Sequence, residues 1–498
     1  MVETENTAPS VATRVVRGAA VYGVANVLQN SLQVLLLPVY TAFLKPSEYG
    51  VVATIVSVSS LVTAFAVYGF DQATIRLFYD HKDDPRALGA FLGSMLASLT
   101  VLIGTIGAVL LATGRLFLGA LYKGIPLWPL VALGLVSAML MPFTRVLQSV
   151  LQAQERPRAY ATISLGYMLL RAGVAIALLM STELRAGAIL AGNASASGVF
   201  ACISVLTLVV MGARSFRWAY VKQAMSYALP LFPHTLFVRA RASADYILLN
   251  RLACSSEAGG FGIANSIAGV MATFSTAVNR AYQPVLYETL ASDSGVGEGQ
   301  LGRMGLLVAY MYSVVGLTVA LFSREILSIL AHSDYHFAAP ALSWAVLAGA
   351  TYGVYSLFLN TLLYNKKKSK LMPVFSAGIC GTNVALAILL VPKMGAAGAA
   401  FASFLTACLA ALSMALITRT STAIPWPYAK FALLTGTTVA CWLGSSLVST
   451  SGPSVNLPLR AALLAIHLVI SGLTCWGDPF YPLRLVRARI ALRRRHQR

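Results

Sequence analysis

The chain has 498 residues, of which 57% are hydrophobic and only 11% are charged, and its formal net charge is +20. Apolar runs of about 20 residues recur between short polar breaks, which is the length that a helix needs to cross the hydrocarbon core of a bilayer. These runs are too long and too continuous for the alternating strands of a membrane β-barrel. The composition therefore excludes a soluble globular domain and predicts an all-α polytopic membrane protein.

Hydropathy along the chain predicts about fourteen transmembrane helices joined by short loops. The first thirteen residues are polar, and the first apolar run is long enough to stay in the membrane, so no cleavable signal peptide is predicted. No loop is long enough to hold a separate soluble domain. The predicted helices lie near residues 15–42, 49–70, 87–112, 126–150, 159–181, 186–211, 226–250, 259–282, 303–323, 339–364, 371–391, 395–418, 428–449 and 458–477.

Basic residues follow the positive-inside rule, because most Lys and Arg fall in alternate loops that would face the cytoplasm together with both termini. Basic clusters beside a span typically contact anionic lipid headgroups, so the charge does not indicate nucleic-acid binding. The cysteines lie in or beside spans without paired spacing, which predicts neither a disulfide framework nor a metal site. The densest basic clusters comprise Lys366, Lys367, Lys368, Lys370, Arg484, Arg487, Arg489, Arg493, Arg494, Arg495 and Arg498.

The sequence resembles itself at an offset of 212 residues, and this register persists across four predicted helices. Chance matches between segments rich in Leu, Ala and Gly are the alternative, but chance does not hold one register over such a length. Six helices per copy, an even number, would make the two repeats parallel around a central cavity. We predict an N-terminal six-helix lobe at 1–212, a C-terminal six-helix lobe at 213–424, and two extra helices with a basic cytoplasmic tail at 425–498. The aligned positions include Gly50 with Gly262, Ile55 with Ile267, Val58 with Val270, and Gly166 with Gly378.

The seventh predicted span has an unusual density of ionisable residues. His234, Arg239, Arg241 and Asp245 lie within twelve residues. An ionisable group at mid-bilayer costs roughly 2.5–3.5 kcal/mol on insertion scales, so it usually faces a hydrated cavity or a partner. The spacing of His234, Arg241 and Asp245 puts these three on one stripe of a helix, whereas Arg239 points elsewhere. We predict that the stripe lines a cavity; the alternative is a simple i, i+4 ion pair on the helix surface.

The repeat relates this stripe to polar residues in the first span. Arg241 aligns with Gln29 and Asp245 aligns with Gln33, while Asn30 occupies an adjoining position. The two polar stripes are therefore predicted to face each other across the interface between the lobes. Arginine binds phosphate through a planar fork of donors, and the amides can hydrogen-bond sugar hydroxyls, so together they suit a phosphorylated glycan.

Other charged positions in or near spans are further candidates. Arg171 lies near the middle of the fifth span and aligns with Asn383 in the eleventh, so we predict that both line the cavity. Arg280 lies at the cytoplasmic end of the eighth span, where a long side chain could instead extend to the headgroups. Asp71 and Arg76 mark the cytoplasmic end of the second span, where they form either an inner gate or a local ion pair.

Motifs of familiar enzymes are absent from the sequence. It contains no HExxH helix, no GxxxxGK[ST] loop and no GxSxG elbow, so neither ATP hydrolysis nor a common hydrolase reaction is predicted, and no cofactor is implied. Energy for transport would then come from an H⁺ or Na⁺ gradient, the membrane potential or the substrate gradient. Asp245 is the predicted ion carrier if transport is coupled, although the nearby Arg241 favours the ionised carboxylate.

Three segments carry a resemblance to a known family. They are VYGVANVLQNSLQVLLLPVYTAFLKPSEYGVVATI from Val21, YGFDQATIRLFYD from Tyr68, and YALPLFPHTLFVRARASADYILLNRL from Tyr227 followed by FGIANSI. Their order and spacing resemble the polysaccharide transporters of the MOP superfamily, the Wzx-like O-antigen flippases, over about residues 15–420. The resemblance implies a flippase of the bacterial inner membrane, not an enzyme. Such a protein moves an undecaprenyl-pyrophosphate-linked oligosaccharide from the cytoplasmic to the periplasmic leaflet by alternating access.

The resemblance also implies roles for particular residues and partners. A cationic central cavity in that family is thought to accept the pyrophosphate and sugars, a role that would fall here on Arg241, Arg239 and Arg171. On this hypothesis Arg241→Ala abolishes transport. The implied partners are the lipid-linked oligosaccharide and membrane lipids, with a polysaccharide polymerase or chain-length regulator as further candidates in O-antigen, lipopolysaccharide or exopolysaccharide export.

Two alternatives remain open at this stage. A drug or cation antiporter of the same superfamily would need an acidic cavity, whereas arginines outnumber acids within these spans. A polytopic glycan polymerase or glycosyltransferase is the enzyme alternative, and the absence of a large aqueous loop argues against it. The fourteen predicted spans, rather than twelve, resemble the lipid II flippase branch, which leaves the exact substrate undecided.

Overall fold

The computed structural model describes residues 23–24, 27–122, 124–291, 296–364, 372–421, 424, 426–448 and 453–476. All regular secondary structure in these ranges is helical, which confirms the all-α fold class. The basic clusters predicted at 366–370 and 484–498 lie outside the described residues.

The described chain forms fifteen helices, together with a short π turn at Leu127–Val131 and a 3₁₀ turn at Ser333–Ala338. Proline begins several of them, as expected where the first helical N–H needs no partner. In order they are α1 (Val27–Phe43), α2 (Pro46–Val67), α3 (Phe70–His81), α4 (Pro85–Leu121), α5 (Ala132–Ala153), α6 (Pro157–Ser181), α7 (Ala186–Val210), α8 (Trp218–Leu252), α9 (Ser255–Ala291), α10 (Val296–Leu321), α11 (Ser323–Leu330), α12 (Ala339–Tyr364), α13 (Met372–Ser421), α14 (Tyr428–Val448) and α15 (Pro453–Trp476).

Ten helical segments in the described residues are long and apolar enough to cross a membrane, so the protein is a multi-pass membrane protein. The predicted number of fourteen is not confirmed. Two predicted spans fall within the single helix α13, which is interrupted at Gly395, where φ is 54°. In the described residues α1 is shorter than a full span, and neither α8 nor α14 is among the ten.

One compact unit consists of the chain up to Gly262 together with Pro373–Val384 of α13. Two groups of buried apolar side chains form its core, one around α2, α6 and α7 and the other around α3, α4 and α5. Local sequence fixes where its helices begin. Glu48 caps α2 by accepting a 2.8 Å hydrogen bond from the N–H of Lys45. Asp84 caps α4, and the backbone N–H groups of Ala87 and Arg86 hold the pKa of its carboxyl below the usual range.

A sharp break separates α2 from α3 in this unit. Tyr68 and Gly69 both adopt left-handed conformations, with φ of 50° and 79°. Glycine tolerates this region without steric cost, whereas tyrosine does so only where its surroundings require it. The break changes the direction of the chain, so that successive side chains around it point in different directions.

The other compact unit consists of residues 263–372 and 385–498. Trp344 of α12 packs against Phe401, Phe404 and Trp442, with ring centroids 4.2–5.2 Å apart. Polar contacts attach the last helix within this unit. Buried Arg460 of α15 forms an ion pair with Glu325 of α11. Buried His467 and Ser313 of α10 are joined by a 2.7 Å hydrogen bond between Nε2 and Oγ. The predicted lobes at 1–212 and 213–424 stay a prediction, because these units have other boundaries.

Candidate functional site

The first unit contains a cavity of about 500 Å³ formed by its own helices. Side chains from α2, α3, α5, α6, α7 and α8 line it, so it lies within a helical bundle rather than on one helix surface. Many of the lining groups are polar, although the surrounding helices are mostly apolar. Such a cavity suits a ligand with several hydrogen-bonding groups.

Three arginines give the cavity a positive charge. Arg145, Arg171 and Arg239 line it, and Asp71 is the one acid among the described lining residues. Both Arg145 and Asp71 lie within electrostatic range of Arg239. Among the described residues none of the three arginines forms a salt bridge within 4.0 Å. Their guanidinium groups are therefore available to an anionic ligand, and arginine is the residue best suited to bind phosphate in a bidentate manner.

Neutral polar side chains also line the cavity. Ser137 and Ser197 are joined by a 2.8 Å hydrogen bond, and the hydroxyl of Tyr167 lies 3.1 Å from that of Ser197. Tyr167 and Ser137 line the cavity, together with Asn193 and Ser59. Hydroxyl and amide groups in this arrangement can exchange hydrogen bonds with a sugar.

Two of these side chains keep a buried polar atom without a protein partner. Asn193 and Ser59 are each 8% exposed. Neither Oδ1 of Asn193 nor Oγ of Ser59 has a hydrogen-bond partner among the described residues. An unsatisfied buried polar atom costs about 1–3 kcal/mol, so both side chains are held in the bundle at a cost in stability.

A close helix contact places Asn193 beside Arg171. A Cβ atom at Gly192 of α7 would lie 2.6 Å from the carbonyl oxygen of Arg171 on α6. Glycine therefore lets the two backbones approach closely, as small residues do in membrane helix packing. The approach brings a cationic and an amide side chain from adjacent helices to the same cavity.

The structure places the predicted site residues in two groups. Arg171, Arg239 and Asp71 line the cavity. Arg145 also lines it but was missed by the sequence analysis, although an arginine inside a predicted span was a usable signal. The uncharged lining residues carried no such signal, because Ser, Asn and Tyr are common in membrane helices.

The predicted stripe of α8 packs along α13 within the same unit. The Nδ1 of His234 lies 2.5 Å from the Oγ of Ser376, and the side-chain amide of Asn383 donates a 2.7 Å hydrogen bond to Asp245. Asp245 and Asn383 are 3% and 0% exposed, respectively. Arg241 lies between these two contacts on α8, and it is not among the residues that line the cavity. His234 and Asp245, which the spacing puts on one stripe, thus both contact the same neighbouring helix segment. That the stripe lines a cavity stays a prediction.

The remaining predicted residues lie away from the cavity lining. Gln29 is half-buried on α1, and Asn30 and Gln33 are exposed. Arg76 is exposed and forms a 2.9 Å ion pair with Asp80 one turn along α3. Arg280 is exposed on α9, in the second unit. Their binding and gating roles stay predictions.

A mostly apolar helical bundle around a charged cavity is the architecture of a multi-pass membrane protein. The family described as "Polysaccharide biosynthesis protein" matches residues 15–290. Because this match covers more than half of the 498 residues, the chain belongs to that family. A comparison with curated proteins found none that is significantly similar in sequence.

Solved structures show the same fold. The lipid II flippase MurJ in an inward closed conformation is 13% identical with a TM-score of 0.70, and the alignment covers 91% of this chain and 98% of MurJ. A multidrug resistance MATE family transporter of the MOP superfamily, in an inward-facing conformation, is 15% identical with a TM-score of 0.59. That alignment covers 79% of this chain and 96% of the transporter. Together with the family match, these shared folds confirm the predicted resemblance. These neighbours are transporters and flippases rather than enzymes.

Proposed function

We propose that the protein is a flippase that moves a polyprenyl-pyrophosphate-linked oligosaccharide, such as an undecaprenyl-linked unit, from the cytoplasmic to the periplasmic leaflet of a bacterial inner membrane. The observation that carries this proposal is the cavity that three arginines line together with neutral hydroxyl and amide groups. Its volume of about 500 Å³ can hold the pyrophosphate and the first sugar, but not a long glycan at once.

The charge of the cavity favours this substrate over a cationic drug. Moving a pyrophosphate and a glycan through hydrocarbon removes water from many polar groups, each at a cost of several kcal/mol. Arg145, Arg171 and Arg239 would replace that water around the phosphates, whereas they would repel a cation. Alternating access would then expose the loaded cavity to each side of the membrane in turn.

A transport assay tests the proposal directly. The purified protein is reconstituted in proteoliposomes with a fluorescent lipid-linked oligosaccharide, and the label in the outer leaflet is measured with a membrane-impermeant quencher. We expect the protein to redistribute the labelled lipid between the two leaflets, and we expect no transport of a cationic dye in the same vesicles. Dye transport without movement of the lipid-linked oligosaccharide would favour the antiporter alternative.

Asp245 provides a test of ion coupling. It is buried against Asn383, and the amide in Asp245→Asn keeps the shape of the side chain but cannot carry a proton or balance a cation. We expect this variant to lose the stimulation of transport by an imposed H⁺ or Na⁺ gradient. Transport down the substrate gradient should persist. Asp83→Asn, at an exposed position, is the control, and gradient stimulation retained in Asp245→Asn would exclude this role.

Substitutions at Asn193 and Ser59 distinguish ligand binding from a structural role. Asn193→Ala and Ser59→Ala each remove a polar atom that has no protein partner, so thermal stability should stay the same or rise. Transport should fall roughly 2- to 12-fold, because each variant removes polarity from the cavity lining and a neutral hydrogen bond is worth about 0.5–1.5 kcal/mol.

A matched control is Ser204→Ala on α7, a buried serine that bonds only to the carbonyl oxygen of Phe200 in its own helix. Transport by this variant should equal that of the wild type. If Asn193→Ala and Ser59→Ala lower the melting temperature and leave transport intact, these residues serve packing rather than the substrate.

A further inference from the structure

A second concave site in the first unit is almost entirely apolar. It is a groove of about 280 Å³ between the α2–α3 break, α4 and the start of α8. Its wall includes Tyr68, Val101, Phe216, Trp218 and Met225. Several of these side chains are strongly exposed, Val101 at 69% and Trp218 at 65%. The groove is therefore an open apolar and aromatic surface.

The groove shares a wall with the cationic cavity. Residues around the α2–α3 break alternate between the two, because Gly69 and Asp71 line the cavity whereas Tyr68 and Phe70 line the groove. The successive left-handed conformations of Tyr68 and Gly69 produce this alternation. One short segment of chain thus contacts a site for charged groups on one side and a site for hydrocarbon on the other.

Helix α8 connects the same two sites along its length. Met225 lines the groove and Arg239 lines the cavity. Between them in sequence, the ring of Phe232 packs against Tyr68 and Phe65, with centroids 4.4 Å and 5.6 Å apart. An aromatic cluster thus lies at the boundary of the two sites, where a ligand that occupied both would change from polar to apolar.

We propose that the groove binds the first isoprenoid units of a polyprenyl chain whose pyrophosphate lies in the adjoining cavity. This inference rests on the function proposed above. An apolar surface gains little by contacting a chain rather than bilayer lipid, so apolarity alone does not select the occupant. Tethering selects the occupant, because a head group held in the cavity keeps its own chain at a high effective concentration beside the groove.

The predicted orientation agrees with this arrangement. With the N-terminus in the cytoplasm, α2 runs toward the cytoplasmic side, so the α2–α3 break lies near that leaflet. The groove residues of α4, which run from Ala97 to Thr105, lie around the middle of that helix. A head group held near the cytoplasmic leaflet would then extend its chain toward these residues.

Photocross-linking on the unaltered protein tests the occupant. The probe is a polyprenyl pyrophosphate with a diazirine on the second isoprenoid unit, and a diazirine phosphatidylglycerol serves as the comparison. We expect the polyprenyl probe to label peptides that contain residues 97–105 and 216–225, and unlabelled undecaprenyl pyrophosphate to compete. Labelling confined to other helices overturns the proposal. Equal labelling by phosphatidylglycerol that undecaprenyl pyrophosphate does not displace also overturns it, because the groove then holds ordinary lipid.

A groove-filling substitution tests the consequence for transport. Val101→Trp places an indole in the groove, whereas Val109→Trp places one on the same helix, at a position 54% exposed and outside the groove. We expect transport of the lipid-linked oligosaccharide to fall roughly tenfold or more in Val101→Trp, and to be unchanged in Val109→Trp. Transport at the wild-type rate in Val101→Trp would overturn the proposal that the groove binds the chain, and would leave the proposed flippase function standing. Absence of transport by the wild-type protein instead contradicts the proposed function.

Discussion

Removing Arg171 and Arg239 together is expected to abolish transport of the lipid-linked oligosaccharide. Both side chains line the cavity from different helices, and neither forms a salt bridge among the described residues. A hydrogen bond to a charged group contributes about 1.5–3 kcal/mol, so each single alanine variant should transport roughly 10- to 150-fold more slowly. The double variant should fall to the level of empty liposomes, because Arg145 alone cannot neutralise a pyrophosphate.

Conservative variants separate charge from geometry in this test. Arg171→Lys keeps the positive charge but replaces a planar fork of donors by a point charge, so partial activity is expected. Arg158→Ala is the matched control, because Arg158 is exposed in the first turn of the same helix and does not line the cavity. A double variant that reaches the membrane in normal amounts and transports at the wild-type rate would rule out the cationic cavity as the substrate site.

The comparison with Arg241→Ala is informative, because the sequence analysis expected the largest effect there. Arg241 lies on the stripe of α8 that packs along α13, between the contacts of His234 with Ser376 and of Asp245 with Asn383. The cavity is lined instead by Arg239, on another face of α8. Arg241→Ala should therefore affect ion coupling and stability, and direct loss of substrate binding is expected from Arg239→Ala.

Composition and periodicity predicted the helical membrane fold and the faces of single helices. Within α8, the spacing groups His234, Arg241 and Asp245; His234 and Asp245 contact α13, whereas Arg239 lines the cavity. Periodicity cannot reveal which face meets water, because that depends on which helix packs against it. The stripe with the most polar residues was therefore assigned to the cavity, whereas His234 and Asp245 contact polar side chains of α13.

Other parts of the site depend on three-dimensional contacts that a sequence does not express. Ser59 and Asn193 are ordinary residues of a membrane helix, and only the absence of a partner for their buried atoms distinguishes them. Arg145 lies near the end of a predicted span, where a long side chain could equally reach the headgroups. The break at Tyr68 and Gly69 was predicted only as the end of a span, although it separates the cavity from the groove.

The close crossing of α2 and α9 is expected to tolerate no side chain at its two glycines. A Cβ atom at Gly50 would lie 1.7 Å from the carbonyl oxygen of Ser255, and one at Gly259 would lie 2.0 Å from that of Pro46. The obstructing atoms belong to the backbone, so a rotamer change cannot relieve the clash. Gly50→Ala or Gly259→Ala should each cost at least about 1–3 kcal/mol and sharply reduce the monodisperse fraction in detergent.

A glycine on α4 supplies a control in which alanine should raise the stability rather than lower it. Nothing lies within 4 Å of a Cβ atom at Gly104, so Gly104→Ala should stabilise the helix by up to about 1 kcal/mol through its better helix propensity. Size-exclusion chromatography and the melting temperature in detergent measure all three variants. Wild-type behaviour of Gly50→Ala would show that the two helices are not in backbone contact.

The two crossing glycines should also act as one unit. The contact is reciprocal, since Gly50 faces Ser255 and Gly259 faces Pro46, and the two contacts lie one turn apart on each helix. A single outward shift of one helix therefore relieves both clashes. Effects of residues that share a contact are not additive, so the double variant should cost about as much as the more severe single variant. A double variant with the sum of the two losses would instead mean that the clashes are relieved by separate local adjustments.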